Sequence, residues 1–287
     1  MDLSDISTVR RLMAMFGLRF RKEFGQNFLT DGSVVEEIAS ACSADPACTV
    51  LEIGPGIGTL THALAERYRS VVALEIDKNL LPVLAFTLSD ADNVTVHHAD
   101  VLKVDLRQLL QPYFERGKVA VCANLPYYIT SPILMSLLES RLPFSSVTVM
   151  VQEEVADRIC AKPGTKDYGA ITPVIGYYAS AQKLFRVPAD RFLPVPKVDS
   201  AVVRLTLWQD AERPCHPRSE ELFFKTIKAA FGQRRKTLLN ALSSGFPNLT
   251  KEQIRESVAA IGLEPDVRGE RLSVEQFSDL SDRLGIL

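Results

Sequence analysis

Five short apolar runs, separated by amphipathic stretches, constrain this chain more than any other feature. They are Val50-Leu-Glu-Ile53, Val71-Val-Ala-Leu74, Val94-Thr-Val96, Val119-Ala-Val-Cys122 and Val147-Thr-Val-Met-Val151, with helix-period segments such as 60–68 and 80–88 between them. A strand that is apolar on both faces must be covered on both faces, and a parallel sheet flanked by helices meets that need. The series ends differently. Lys183 to Val187 and Val198 to Leu207 are joined by a Pro-rich connector with no room for a full helix, which predicts an antiparallel pair closing one edge. The expected class is α/β, a mostly parallel sheet with an antiparallel edge pair.

The flanks carry a different pattern. Ile6, Val9, Leu12, Met13 and Phe16 recur at helical spacing and stop at Gly17, and Ser33-x-x-Glu36 reads as a capping box opening a helix. After Trp208, a linker with two prolines leads into segments that read as helices only, near 219–231, 234–244, 250–261 and 273–284. The predicted domains are therefore 1–208 and a small all-α domain over 209–287.

Charge limits the partners. With 33 Lys and Arg against 35 Asp and Glu the chain is not basic as a whole, so nucleic acid would have to meet a local patch. Two patches qualify: Arg19, Arg21 and Lys22, where residues 10–28 hold five basic groups and one acidic, and Arg234-Arg235-Lys236. Five scattered cysteines without a C-x-x-C pair speak for a reducing compartment and against a zinc ribbon, and His97-His98 is too isolated for a metal site. Residues 119–138 have the length of a membrane span, but Pro126 and Pro132 would break its helix. A cytoplasmic protein without a membrane segment or a metal is expected, and nothing in the sequence calls for more than a monomer.

Two motifs carry chemistry. Glu52-Ile-Gly-Pro-Gly-Ile-Gly58 leaves a strand and enters a helix, and Gly54 and Gly56 allow a ligand close to the backbone beside unpaired N–H groups. The spacing is not the G-x-G-x-x-G of dinucleotide binders but a nucleoside-binding variant. Glu75 ends the next strand, where a carboxylate can accept two ribose hydroxyls, and Asp100 follows the third, placed to meet an adenine edge. The second motif, Asn124-Leu125-Pro126-Tyr127, ends the fourth strand and opens onto the same crevice.

Together these motifs resemble S-adenosylmethionine-dependent N6-adenine methyltransferases, with their Rossmann-like class I sheet. Phe24-Gly-Gln-Asn-Phe-Leu29, Pro163-Gly-Thr-Lys-Asp-Tyr-Gly169, Arg191-Phe-Leu-Pro-Val-Pro-Lys-Val-Asp-Ser200 and Phe231-Gly-Gln-Arg-Arg-Lys-Thr-Leu238 narrow the resemblance. From about residue 20 onward the chain is similar to the small-subunit (16S) ribosomal RNA adenine N6,N6-dimethyltransferase family. The resemblance implies that S-adenosylmethionine is the methyl donor and that two adjacent adenines near the 3′ end of 16S rRNA, in the assembling small subunit, are the substrate. It places Asn27 and Leu29 over the donor, Gly54 against its methionine part, Glu75 on its ribose, Asp100 on its adenine and Asn124 where donor and substrate meet.

That chemistry makes demands of its own. The N6 lone pair is delocalised into the ring, so a site helps by accepting hydrogen bonds from N6 as charge develops there. The Asn124 side-chain oxygen and the Leu125 carbonyl can accept, Pro126 fixes the loop, Tyr127 offers a face to the base, and Phe192 is expected to cover the other. Two alternatives stand beside this: a resistance-type 23S rRNA adenine N6-methyltransferase, and a non-catalytic rRNA-binding assembly factor on a relic fold. A DNA adenine methyltransferase shares the Asn-x-Pro-Tyr logic, but no separate domain for reading duplex sequence is evident.

Overall fold

The computed structural model describes every residue except 22–24, 234, 265 and 287. Lys22 and Arg234, both expected at an RNA surface, lie outside the described residues. The chain divides into two compact units, Met1–Ala156 with Gln182–Leu207, and Asp157–Ala181 with Trp208–Leu287.

The first unit begins with α1 (Ile6–Met15), β1 (Phe28–Leu29) and α2 (Gly32–Cys42). There follow β2 (Thr49–Ile53), α3 (Thr59–Arg67), β3 (Ser70–Glu75), α4 (Leu81–Thr87), β4 (Val94–His98), α5 (Leu106–Phe114), β5 (Val119–Asn124), α6 (Thr130–Glu139) and β6 (Phe144–Gln152). Next along the chain, after α7 (Glu153–Ile159) and the second unit's α8 (Ile171–Tyr178), come β7 (Ala179–Val187), β8 (Phe192–Leu193) and β9 (Ser200–Leu207). Seven strands form one sheet in the order β4-β3-β2-β5-β6-β9-β7. The pairs from β4 to β6 are parallel, and Leu51 lies opposite Val72 on one side and Val121 on the other. β9 is antiparallel to β6, with Val203 opposite Val149. All five residues of β2 are buried, as its apolar run requires. Strand order reverses between β2 and β5, and a crevice must open there at their carboxyl ends.

Two sequence signatures meet in a second, two-stranded sheet: Phe28 pairs with Leu193 and Leu29 with Phe192, antiparallel. The uncharged stretch 119–138 resolves into β5, a turn at Tyr127–Ile129 and α6. Pro132 falls in the first turn of α6, where no intrahelical N–H is required. Among the described residues, no helix is long and apolar enough to cross a membrane. One detail of the sequence reading is corrected. Asp31, not Ser33, caps α2, because its carboxylate accepts from the Ser33 and Val34 amides, while Glu36 is drawn away to Arg67.

The second unit contains α8 and the helices α9 (Glu220–Gly232), α10 (Leu238–Gly245), α11 (Lys251–Ala259) and α12 (Val274–Leu284). Tyr177 packs on Phe223 and Phe224, and Tyr178 stacks on Phe224. The Tyr168 hydroxyl donates to the Leu272 carbonyl at 2.7 Å, and the Gly164 amide to Glu270. These contacts group residues 157–181 with the C-terminal helices, whereas the sequence alone suggested a single boundary after residue 208. α10 starts at Leu238 and not at 234, so Arg235 and Lys236 stand exposed in the turn that precedes it.

Candidate active site

The crevice at the carboxyl ends of β2, β3 and β5 is lined by the glycine loop, Glu52, Glu75, Ile76 and residues 124–127. Residues 25–29 wall its other side. Gly54 has φ +73°, and a Cβ there would meet nothing within 4 Å, so its backbone faces open space. Gly56 has φ +62°, and a Cβ would come within 3.0 Å of the Phe28 ring. Phe28 thus closes down on a backbone that only glycine leaves low enough.

Two carboxylates sit under this loop. Glu75, only 4% exposed, accepts from the Gly56 amide at 3.3 Å and from the Asp77 amide at 2.7 Å, and burial raises its pKa above the usual carboxylate range. Glu52 is 1% exposed, and among the described residues one of its carboxyl oxygens has no hydrogen-bond partner. Burial raises its pKa to about 8 against the lowering effect of the neighbouring Thr61 hydroxyl, with a smaller push from the Glu75 charge. A buried carboxyl whose nearest polar neighbour is a single hydroxyl, Thr61, leaves room for a donor or cation from outside the chain.

The Asn124 amide is oriented by its neighbour. Its Nδ2 donates to the Asn27 carbonyl at 3.2 Å, which commits the nitrogen to that side and turns Oδ1 the other way as an acceptor. Asn27 Nδ2 in turn donates to the Gly25 carbonyl at 3.1 Å. The Tyr127 hydroxyl is 2.7 Å from Ser200 Oγ, which fixes the ring at the crevice wall. Burial raises the phenol's pKa, so it stays neutral. The Asn-Leu-Pro-Tyr loop is thereby bonded to the residue that precedes β1 and to the residue that opens β9.

The structure brings together Asn27, Leu29, Gly54, Gly56, Glu75, Asn124, Leu125, Pro126 and Tyr127. Asp100 does not line the crevice. It lies just past β4, accepting from the Leu102 amide at 3.0 Å and facing Lys103 at 3.4 Å, while the Ala99 amide before it donates to the Glu75 carbonyl. Phe192 is a correction. It is 2% exposed within the core formed with Leu29 and Ile38, because pairing β8 with β1 turns its side chain inward, and its ring presents no open face to a base. Arg19 and Arg21 are exposed in the segment after α1. Among the described residues, no cluster of His, Cys, Asp or Glu could hold a metal ion. The sequence reading gave no role to Glu52, Gln26 or Asp77. Its one available signal was a glutamate opening the glycine motif from inside a fully apolar strand.

A family model described as ribosomal RNA adenine dimethylase matches residues 17–285. The chain is 46% identical to the ribosomal RNA small subunit methyltransferase A of Alkaliphilus metalliredigens, covering 96% of this chain and 95% of the relative. It is 48% identical to the protein of the same name from Lachnoclostridium phytofermentans, covering 98% and 97%. Among solved structures, the 23S rRNA methyltransferase ErmE superposes with a TM-score of 0.68 at 28% identity, over 90% of this chain and 100% of that one.

Proposed function

Because the chain belongs to the ribosomal RNA adenine dimethylase family, we propose that it transfers methyl groups from S-adenosylmethionine to N6 of two adjacent adenines near the 3′ end of 16S rRNA. The product is N6,N6-dimethyladenine, made in the cytoplasm on small ribosomal subunits during assembly. The observation that carries this reading is the Asn124 amide, anchored on the Asn27 carbonyl at the mouth of a crevice floored by Glu52 and Glu75.

The residues present fit the donor. Its cationic methionine end matches the orphaned oxygen of buried Glu52, its ribose hydroxyls match Glu75, and the open space over Gly54 leaves room beside the backbone. Bound S-adenosylmethionine supplies an activated methyl on a sulfonium, so the protein needs no metal and no strong base. The chain's own task is orientation. Asn124 Oδ1 and the Leu125 carbonyl accept hydrogen bonds from N6 and favour positive charge on that nitrogen as it reacts. Tyr127, pinned by Ser200, gives the base a stacking face, a contact worth roughly 1–3 kcal/mol. Asp100 lies beyond β4 and outside the crevice lining, and its role as partner of the donor's adenine rests on the family resemblance. In the second unit the exposed Arg235 and Lys236 offer phosphate contacts, as Arg19 and Arg21 do in the first.

The resistance-type reading has one observation in its favour, the likeness to the 23S rRNA enzyme, and near-full-length relatives at 46% and 48% identity outweigh it. The test is transfer of radiolabelled methyl to unmethylated small subunits, naked large-subunit rRNA and duplex DNA, with digestion to nucleosides. Dimethyladenine from small subunits alone is expected. Label on naked large-subunit rRNA would replace this function with the resistance-type one, and no label anywhere would leave an assembly factor.

A further inference from the structure

A second, larger cleft of about 550 Å³ adjoins the crevice and shares Gln26, Phe28 and Leu80 with it. Its lining is apolar where buried, at Phe28 and Leu80, and cationic where exposed, at Arg19, Arg21 and Lys78. Neither Arg19 nor Lys78 forms an ion pair among the described residues.

Among the described residues, the cleft's one carboxylate is already engaged. Asp77 is 3% exposed and accepts from the Asn79 amide at 3.0 Å, from Asn79 Nδ2 at 2.6 Å and from Gln26 Nε2 at 3.0 Å, with Arg21 Nε at 3.7 Å. The Leu80 amide closes the same turn by donating to the Asp77 carbonyl. These bonds hold the 77–80 backbone rigid and set Lys78 outward at the rim, so the charge offered to a ligand is positive.

A cationic rim over an apolar wall is the chemistry of a nucleotide: phosphate on the one, base on the other. The volume is larger than a phosphate needs. The cleft also runs into the crevice where the target adenine meets the donor, and a target lying in a run of two adenines has its neighbour one backbone link away. We infer that this cleft seats the nucleotide adjoining the target adenine, with its base against the half-buried Phe16 and Leu18 and its phosphate on Arg19 and Lys78. The inference rests on the proposed rRNA adenine dimethyltransferase function and adds to it a subsite that sets the register of the two adenines.

The experiment uses the full-length protein and unmethylated small subunits. Lys78→Ala and Arg19→Ala should each raise KM for subunits about tenfold and lower the slope of log affinity against log salt by about one. Their kcat and donor affinity by calorimetry should match the wild type, and Lys78→Arg should restore KM. A photocrosslinking benzoylphenylalanine at position 82, which also lines the cleft, should map to the other adenine of the dimethylated pair. Inorganic phosphate should inhibit no more than chloride of equal ionic strength, whereas a short adenine-containing oligonucleotide should compete. Wild-type KM and salt slope in both alanine variants, crosslinks elsewhere on the RNA, or phosphate competing as well as the oligonucleotide would overturn the subsite. Each of those outcomes is read against a wild type that makes dimethyladenine. A wild type that makes none defeats the function itself.

Discussion

The two ends of the main sheet treat buried polar groups in opposite ways. At the amino end of the parallel strands, side chains answer three of the last four carbonyls of α2. Tyr68 donates to Ala39 at 2.7 Å, Arg204 Nε and Thr148 donate to Ala41 at 3.0 and 3.3 Å, and Ser146 donates to Cys42 at 2.7 Å. At the carboxyl end, Glu52 and Glu75 are buried with raised pKa values, and one oxygen of Glu52 has no partner among the described residues. The first arrangement completes itself and stabilises the fold. The second costs stability until a ligand completes it, and that difference marks the working end without reference to any relative.

The largest effect that would sharpen this contrast is at Asn124. Asn124→Ala removes an acceptor that matters only as charge develops on N6, so kcat should fall by at least about a hundredfold while donor affinity stays near wild type. Glu75→Ala should do the reverse first. It removes the ribose partner and frees the Gly56 and Asp77 amides, weakening donor binding by roughly ten- to a hundredfold. Single-turnover transfer and calorimetric donor titration on both variants separate the roles. Wild-type turnover in Asn124→Ala would sink the mechanism, and unchanged donor affinity in Glu75→Ala would remove that carboxylate from the site.

The sheet was legible because its strands are apolar on both faces: each of the five runs became a strand, from β2 to β6. Glu75 and Asn124 were legible because a polar residue ending such a run has nowhere to go but the crevice. What stayed hidden depends on long-range pairing. Nothing local says that Phe28-Leu29 will pair with Phe192-Leu193, and that pairing is what buries Phe192. Likewise, the aromatic partners of Tyr177 and Tyr178 lie more than forty residues away, so the membership of residues 157–181 in the second unit was not readable as a boundary. The Asp31 cap was missed for a smaller reason. Asp and Ser compete for the same helix start two residues apart, and the Asp31 carboxylate takes the Ser33 amide.

A middle-sized effect tests the cost at the working end. The Glu52 pKa is raised from 4.5 to about 8, so its contribution to stability is fully present below pH 4.5 and is lost as pH rises toward 8. Denaturant titrations of the ligand-free protein between pH 5 and 8 should therefore show a downward slope that Glu52→Gln lacks. A cationic donor favours the ionised form, so its binding should release a proton, and its affinity should rise with pH by up to about tenfold per unit between pH 6 and 7.5. Calorimetry in two buffers of different ionisation enthalpy reads that proton directly. A flat profile, or the same profile in Glu52→Gln, would mean that the orphaned oxygen is not the donor's partner.

The smallest effect comes from the closed end, and it decides whether the two ends are separable. Tyr68 is 6% exposed, and its hydroxyl both donates to the Ala39 carbonyl and accepts from the Ser43 amide at 3.1 Å. Tyr68→Phe keeps the ring in the core with Ile38 and Leu64 but leaves that amide and carbonyl unanswered, at a cost of about 1–3 kcal/mol. The melting temperature should fall by a few degrees, while kcat and donor affinity stay at wild-type values. A loss of transfer rate in step with the loss of stability would show that the satisfied end transmits its order across the sheet to the glycine loop. In that case the contrast between a structural end and a chemical end would have to be given up.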